Sequence, residues 1–205
     1  MSEEINMMII GIDPGKTGAI TVLNNDAAVE VAIFDMPTIR EGKKGKEQID
    51  IVELGQIIRN LPTTATAFVE AQNALTRFDP SLGRAVPQGA VSNFTLGKGF
   101  GAVLMGLAMA GIPFEEVMPK QWQKYFHISG SNTKEQAHGI AKRLFPTLEF
   151  TTPRGRLLDG RCDSLLIAEY GRRRLTGEKG YAQVDTNPKL SMPKRRPIGT
   201  RSKRG

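Results

Sequence analysis

The sequence predicts an α/β fold: one mixed five-stranded sheet flanked by helices, followed by a basic, disordered C-terminal tail. Three observations predict it. The first three apolar runs follow one another at spacings too short for helical crossovers, which makes them an antiparallel meander. Beyond them, stretches of helical period alternate with short apolar runs, the order of a sheet continued by parallel strands. Finally, residues 1–188 carry 21 basic and 21 acidic side chains, so the whole formal net charge of +7 lies in residues 189–205. That segment contains Pro193 and Pro197, no acid and almost no large apolar residue, a composition that does not offset the entropy of ordering. Residues 1–178 are therefore assigned to the domain and 179–205 to the tail, which reads either as a solubilising end or as a nonspecific nucleic-acid arm.

The meander comprises Met7–Ile12, Gly18–Leu23 and Ala28–Phe34. A polar loop from Arg40 to Glu47, carrying Lys43, Lys44 and Lys46, leads into Ile51, Leu54, Ile57, Ile58 and Leu61. Their three- and four-residue steps mark an amphipathic helix, stopped by Pro62. Ala65–Glu70 reads as a fourth, buried strand, and a long loop follows to about Pro87. Gly89–Gly111 has Lys98 as its one charge and is read as a helix largely buried in the core or at a subunit interface. Gly97, Gly101 and Gly106 would be its points of close approach, with Met105 and Met109 as core or interface packing. Phe114–Val117 is the fifth strand. Pro119 opens a short helix through Trp122, read as core, and Tyr125. Asn132 with Glu135 three residues on signals the N-terminus of the next helix, and the last runs from about Leu158 to Leu175.

Composition also excludes function classes. One cysteine, Cys162, makes neither an internal disulfide nor a multi-cysteine zinc site, so any metal falls to oxygen ligands or His. The longest apolar run, Met7–Ile12, is far short of the roughly 20 residues that span a bilayer, and the expectation is a soluble intracellular protein without a membrane partner.

Four carboxylates carry the chemistry. Asp13 ends the first strand and is followed by Pro14 and Gly15, which fix it in a turn. Glu70 ends the fourth strand. Asp159 and Asp163 are four apart on the last helix and share one face about 6 Å apart. Such like-charged neighbours repel, and if all four converge, two hard divalent cations balance a charge of about −4. Two metals are the arrangement for in-line phosphodiester hydrolysis. Each acid also has a plain structural reading: Asp13 as a turn former, Glu70 as a surface acid, Asp159 as a helix cap. Their conjunction favours the metal site. The stretch Gly11–Thr17 approaches a Walker phosphate loop but has one residue too few between its glycines.

In this order and spacing, several segments resemble the RuvC-type Holliday junction resolvases of the ribonuclease-H-like superfamily, particularly phage-encoded members. They are Gly11–Gly15 with Thr17–Ala19, Val69–Gln72, the Gly97–Gly111 helix leading to Val117–Trp122, Lys134–Gln136 ahead of Leu144–Pro146, and Asp159–Tyr170. The resemblance implies a homodimeric crossover-junction endodeoxyribonuclease that binds four-way or branched DNA and makes paired nicks with Mg²⁺ or Mn²⁺, two ions per site. It also implies a cytoplasmic location in a bacterium or phage-infected bacterium. By position, Asp13 is the central metal bridge, Glu70 a second ligand and Asp163 the helical acid. The family places its fourth ligand three residues before that last Asp, where this chain has Gly160; Asp159 takes the role from the adjacent position. Where some relatives carry an aromatic junction wedge this chain has Asn73, and Phe78 is the substitute. Candidate DNA contacts are Lys16, Lys43, Lys44, Lys98, Lys120, Lys124, Lys134 and Arg161. Two rival readings remain: a noncatalytic junction-binding protein, and a nuclease of the same chemistry on another nucleic acid.

Overall fold

The computed structural model describes residues 7–24, 31–40, 42, 45–72, 76–81, 83–87, 89–178 and 181. Lys43, Lys44, Asn73 and residues 182–205, which include the charged tail, lie outside the described residues, as does the side chain of Phe78.

The meander forms as predicted: β1 (Met8–Ile12), β2 (Ala19–Asn24) and β3 (Val31–Asp35) pair antiparallel. Two parallel strands, β6 (Thr66–Glu70) and β9 (Phe114–Val117), complete one five-stranded sheet in the order β3-β2-β1-β6-β9. The mixed sheet and its flanking helices match the predicted α/β class.

Side-chain alternation divides the core. Ile10, Ile12, Val69 and Ala67 point to one face, where they pack with α1 (Ile51–Arg59) and α2 (Ala90–Met109). Ile9, Phe68 and Val117 point to the other, against α3 (Pro119–Tyr125), α4 (Thr133–Leu144) and α5 (Asp159–Thr176). Helix α1 starts where the Asp50 side chain accepts hydrogen bonds from the Val52 and Glu53 amides.

Gly11 sits on the α5 face of β1 and decides how closely that helix lies. A Cβ at Gly11 would come within 2.1 Å of the Ser164 carbonyl oxygen and 2.3 Å of the Ala168 nitrogen. Nearby, Thr21 Oγ1 and Ser164 Oγ form a buried hydrogen bond of 2.8 Å between β2 and α5. Gly11→Ala should therefore force the helix off the sheet, with a stability loss of about 3 kcal/mol or more measured by urea denaturation. A wild-type denaturation midpoint would refute this account of the packing.

Several sequence expectations require correction. The Arg40–Glu47 segment is not simply a polar loop: β4 (Thr38–Arg40) and β5 (Glu47–Ile49) pair as a hairpin. The stretch before Pro87 likewise contains a hairpin, β7 (Thr76–Asp79) with β8 (Arg84–Pro87), and Phe78 falls in β7. Helix α2 is not largely buried: Gly99, Val103 and Leu107 are, but Phe94, Met105 and Met109 are 74%, 63% and 81% exposed. Met105 and Met109 are thus not core residues of the single chain. Among the described residues, Gly97 and Gly101 have no neighbour where a Cβ would sit, and of the three glycines singled out Gly106 alone meets one, Ile58. Asn132 precedes α4 without making a side-chain cap.

Tyr181, assigned by sequence to the tail, is buried in the body. Arg143 Nε donates to its hydroxyl at 2.9 Å, and its carbonyl lies 3.0 Å from His127 Nε2. Among the described residues no helix is long and apolar enough to cross a membrane.

Candidate metal centre

Strand register brings the first two acids together. In the parallel pairing of β1 and β6, Ile12 lies opposite Val69, so the next residues, Asp13 and Glu70, emerge side by side from the same sheet edge. Both follow the alternation that puts Gly11 and Phe68 on the α5 face, so both carboxylates belong to that face. The turn after β1 holds Asp13 at both ends: its amide donates to the Ala19 carbonyl at 3.0 Å, and its Oδ1 accepts from the Gly15 amide at 3.0 Å.

The close passage of α5 over Gly11 carries Asp163 to the same place, and the first turn of α5 is pinned as well. A Cβ on Gly160 would meet the Thr17 carbonyl oxygen at 2.1 Å and the Gly18 Cα at 2.5 Å. Any side chain there would displace the β1–β2 turn. That contact explains why the acid in this turn of the helix is Asp159, the first residue of α5, and not residue 160.

The electrostatics show that the carboxylates sense one another. Burial, followed by the charges of Asp13, Glu70 and Asp159, raises the Asp163 carboxyl to about 8; Lys134 opposes this. Burial and then Asp13 raise Glu70 to about 7, against hydrogen bonds from Trp122 and Gln72. Asp13 is also raised, first by burial, against the Gly15 hydrogen bond, with the Asp159 charge adding to the rise. The Lys134 ammonium donates to Asp159 Oδ2 and forms an ion pair with it. That hydrogen bond, followed by the Asp159 charge, raises Lys134, with Asp163 and Asp13 contributing.

Half-buried oxygen donors of this kind, Asp13, Glu70 and Asp163, each raised first by burial and then by a neighbouring acid, suit a hard divalent cation in charge and chemistry. As placed, no three His, Cys, Asp or Glu side chains among the described residues make a finished ligand cage.

One site residue was missed by sequence reasoning. Trp122 is core, as read, with 1% exposure, but its indole Nε1 also donates to Glu70 Oε1 at 3.0 Å. Gln72 Nε2 reaches Glu70 Oε2 at 3.4 Å. The available signal was the pairing of β6 with β9, which sets the start of α3 beside the end of β6.

The basic candidates separate. Arg161 is turned to the β3 edge, where Nε and Nη2 donate to the two oxygens of Asp35 at 2.6 and 2.7 Å and Nη1 to the Glu149 carbonyl. This bidentate pair occupies the guanidinium that sequence reasoning assigned to DNA. Lys98 donates to Gln48 Oε1 at 3.3 Å, and Lys16 lies 3.7 Å from Glu47. Lys120 and Lys124 line a cavity of about 440 Å³ with Gln123, His127, Ile128 and Ser129. Cys162 is fully buried, and burial pushes its thiol up to about 12, which leaves it inert.

Comparison with known proteins gives a fold. No protein-family model matches the chain, and no curated protein matches it. Among solved structures, the chain is similar to Thermus thermophilus RuvC in complex with a Holliday junction substrate, with a TM-score of 0.51 and 17% sequence identity. That match covers 85% of this chain and 98% of the other. A second structure of Thermus thermophilus RuvC matches with a TM-score of 0.46 and 18% identity, over 85% of this chain and 99% of the other. The architecture is thus the ribonuclease-H-like fold of RuvC.

Proposed function

We propose that the chain is a metal-dependent, structure-selective DNA endonuclease that resolves four-way junctions by paired symmetric nicks, acting as a homodimer. The observation that carries this reading is that Asp13 and Glu70 emerge side by side from one sheet edge, with Asp163 near enough that their charges add to the burial that raises its carboxyl. The RuvC structure of like fold, described in complex with a Holliday junction substrate, supports the choice of substrate.

Asp13, Glu70 and Asp163, with Asp159 at the rim, would hold Mg²⁺ or Mn²⁺, which supplies an activated water and charge stabilisation at the leaving oxygen. The protein's own contribution is orientation. The Gly15 amide fixes one oxygen of Asp13, and Trp122 and Gln72 fix the two oxygens of Glu70. Lys134 holds Asp159 and offsets the negative field that would repel a phosphate. Lys120 and Lys124 on α3 stand ready for backbone contacts.

The exposed face of α2 supports the dimer. Phe94, Met105 and Met109 recur at helical spacing along it, an apolar stripe that a second copy would cover. Met105→Asp with Met109→Asp should yield a monomer by sedimentation equilibrium and convert paired nicks into uncoupled single nicks. An unchanged mass would remove this stripe as the interface.

The reading is tested by a labelled four-way junction in Mg²⁺, beside a flap, a linear duplex and an RNA–DNA hybrid. Symmetric paired nicks in the junction are expected. Cleavage of the hybrid alone would move the activity to another nucleic acid, and binding without cleavage in either metal would make the chain a junction-binding protein.

A further inference from the structure

Beside the acids runs a groove of about 730 Å³, within the ~300–1,000 Å³ range typical of ligand sites. Its walls are the turn after Asp13, the β4–β5 hairpin and the first turns of α2. We propose that this groove binds one unpaired strand of nucleic acid, with phosphates on Lys16, Arg40 and Lys46 and sugars and bases against Ile49, Val91 and Leu96. The proposal deepens the endonuclease reading and rests on it for the strand's direction.

Charge complementarity points to a polyanion. Among the described residues, three cations line the groove against one acid, Glu47, which lies 3.7 Å from Lys16 in an exposed pair. Such a pair contributes little in water and exchanges readily for a phosphate. A cleft lined by one sign of charge concentrates its field on the occupant. A basic track against an apolar wall suits a single strand, whose bases are free to touch the wall, whereas paired bases are stacked away from it. Ser92 and Thr95 on the same stretch of α2 add hydroxyls for the sugar–phosphate chain.

Position gives the strand a route. Pro14 and Lys16, both in the groove wall, belong to the turn that follows Asp13, so the groove opens next to the sheet edge that carries this acid. The groove lies along the first turns of α2, where Phe94 of the exposed stripe also sits, while Met105 and Met109 mark the other end of the helix.

The test uses the full chain in EDTA and a fluorescein-labelled single-stranded oligonucleotide of about 15 nucleotides, read by anisotropy across a salt series. Arg40→Glu with Lys46→Glu should weaken binding about tenfold and make the slope of log affinity against log salt shallower by about 1.4, the value for two phosphate contacts. A control with the same charge change elsewhere, Arg59→Glu with Lys142→Glu, should leave both within twofold. Equal losses in the two variants would overturn the proposal, as would a groove variant that loses duplex binding as strongly as single-strand binding. Should the charge reversal unfold the hairpin, Arg40→Gln with Lys46→Gln gives the same comparison with a smaller loss. A wild-type chain that nicks nothing would sink the endonuclease reading while the oligonucleotide measurement still decides the groove.

Discussion

Replacing Asp163 by Asn is expected to lower junction nicking about a thousandfold or more and, in the same protein, to raise the melting temperature measured in EDTA. The two effects share one cause. Asp163 is held where burial and three neighbouring acids oppose its charge, which suits a cation and destabilises the metal-free fold. Folded protein keeps protons on Asp163 up to about 8 and on Glu70 up to about 7, whereas the unfolded chain releases them near pH 4. Between these limits the native state binds more protons, so stability is greatest on the acid side and is lost as pH rises toward 8. Wild-type protein in EDTA should lose about 4 kcal/mol between pH 6 and pH 8.5, more than half of it through Asp163. Asp163→Asn should flatten that dependence and melt about 5 °C higher at pH 8.5. Mg²⁺ should flatten the wild-type dependence without the substitution. Junction binding should be retained, since the basic surface is untouched. Wild-type nicking rates in Asp163→Asn, or a lower melting temperature with the pH dependence intact, would remove Asp163 from the site.

The acids were picked out in the sequence by their place next to apolar runs. Asp13 and Glu70 terminate strongly apolar runs, and Asp163 opens the apolar run Leu165–Ala168 on α5. The meander was legible from spacing alone, and the fifth strand from its place between two helices. The β4–β5 hairpin was not, because strands of three polar-rich residues carry too little alternation to register against a lysine-rich loop. Of the two readings of helix α2, core or subunit interface, the core one failed for the opposite reason. Gly, Ala, Leu and Met all around its circumference look like a buried helix, yet the sheet and α1 cover only the side of Gly99, Val103 and Leu107. Arg161 was assigned by proximity in sequence to the acids. Its partner Asp35 is 126 residues away, a pairing that no local pattern displays.

Trp122 belongs to the same class of long-range contact, and its replacement should produce the second large effect. In Trp122→Phe the aromatic packing is mostly kept, but Glu70 loses the indole N–H at Oε1 and retains the burial and the Asp13 charge that raise it. The Glu70 carboxyl then moves above about 7, so the acid limb of the pH–nicking profile should shift to higher pH. The Mg²⁺ concentration for half-maximal nicking should rise about tenfold or more, the usual cost of losing a hydrogen bond behind a metal ligand. A stability loss of about 1–2 kcal/mol is expected as well, because Trp122 is buried and Phe is smaller. That loss alone would not identify a positioning role. Phe126→Leu supplies the comparison, since Phe126 is fully buried in the same core cluster and touches no acid through a hydrogen bond. If both variants raise the metal requirement and shift the pH limb alike, Trp122 acts only by packing. If Trp122→Phe alone does so, with junction affinity in EDTA unchanged in both, the indole orients Glu70 for the metal.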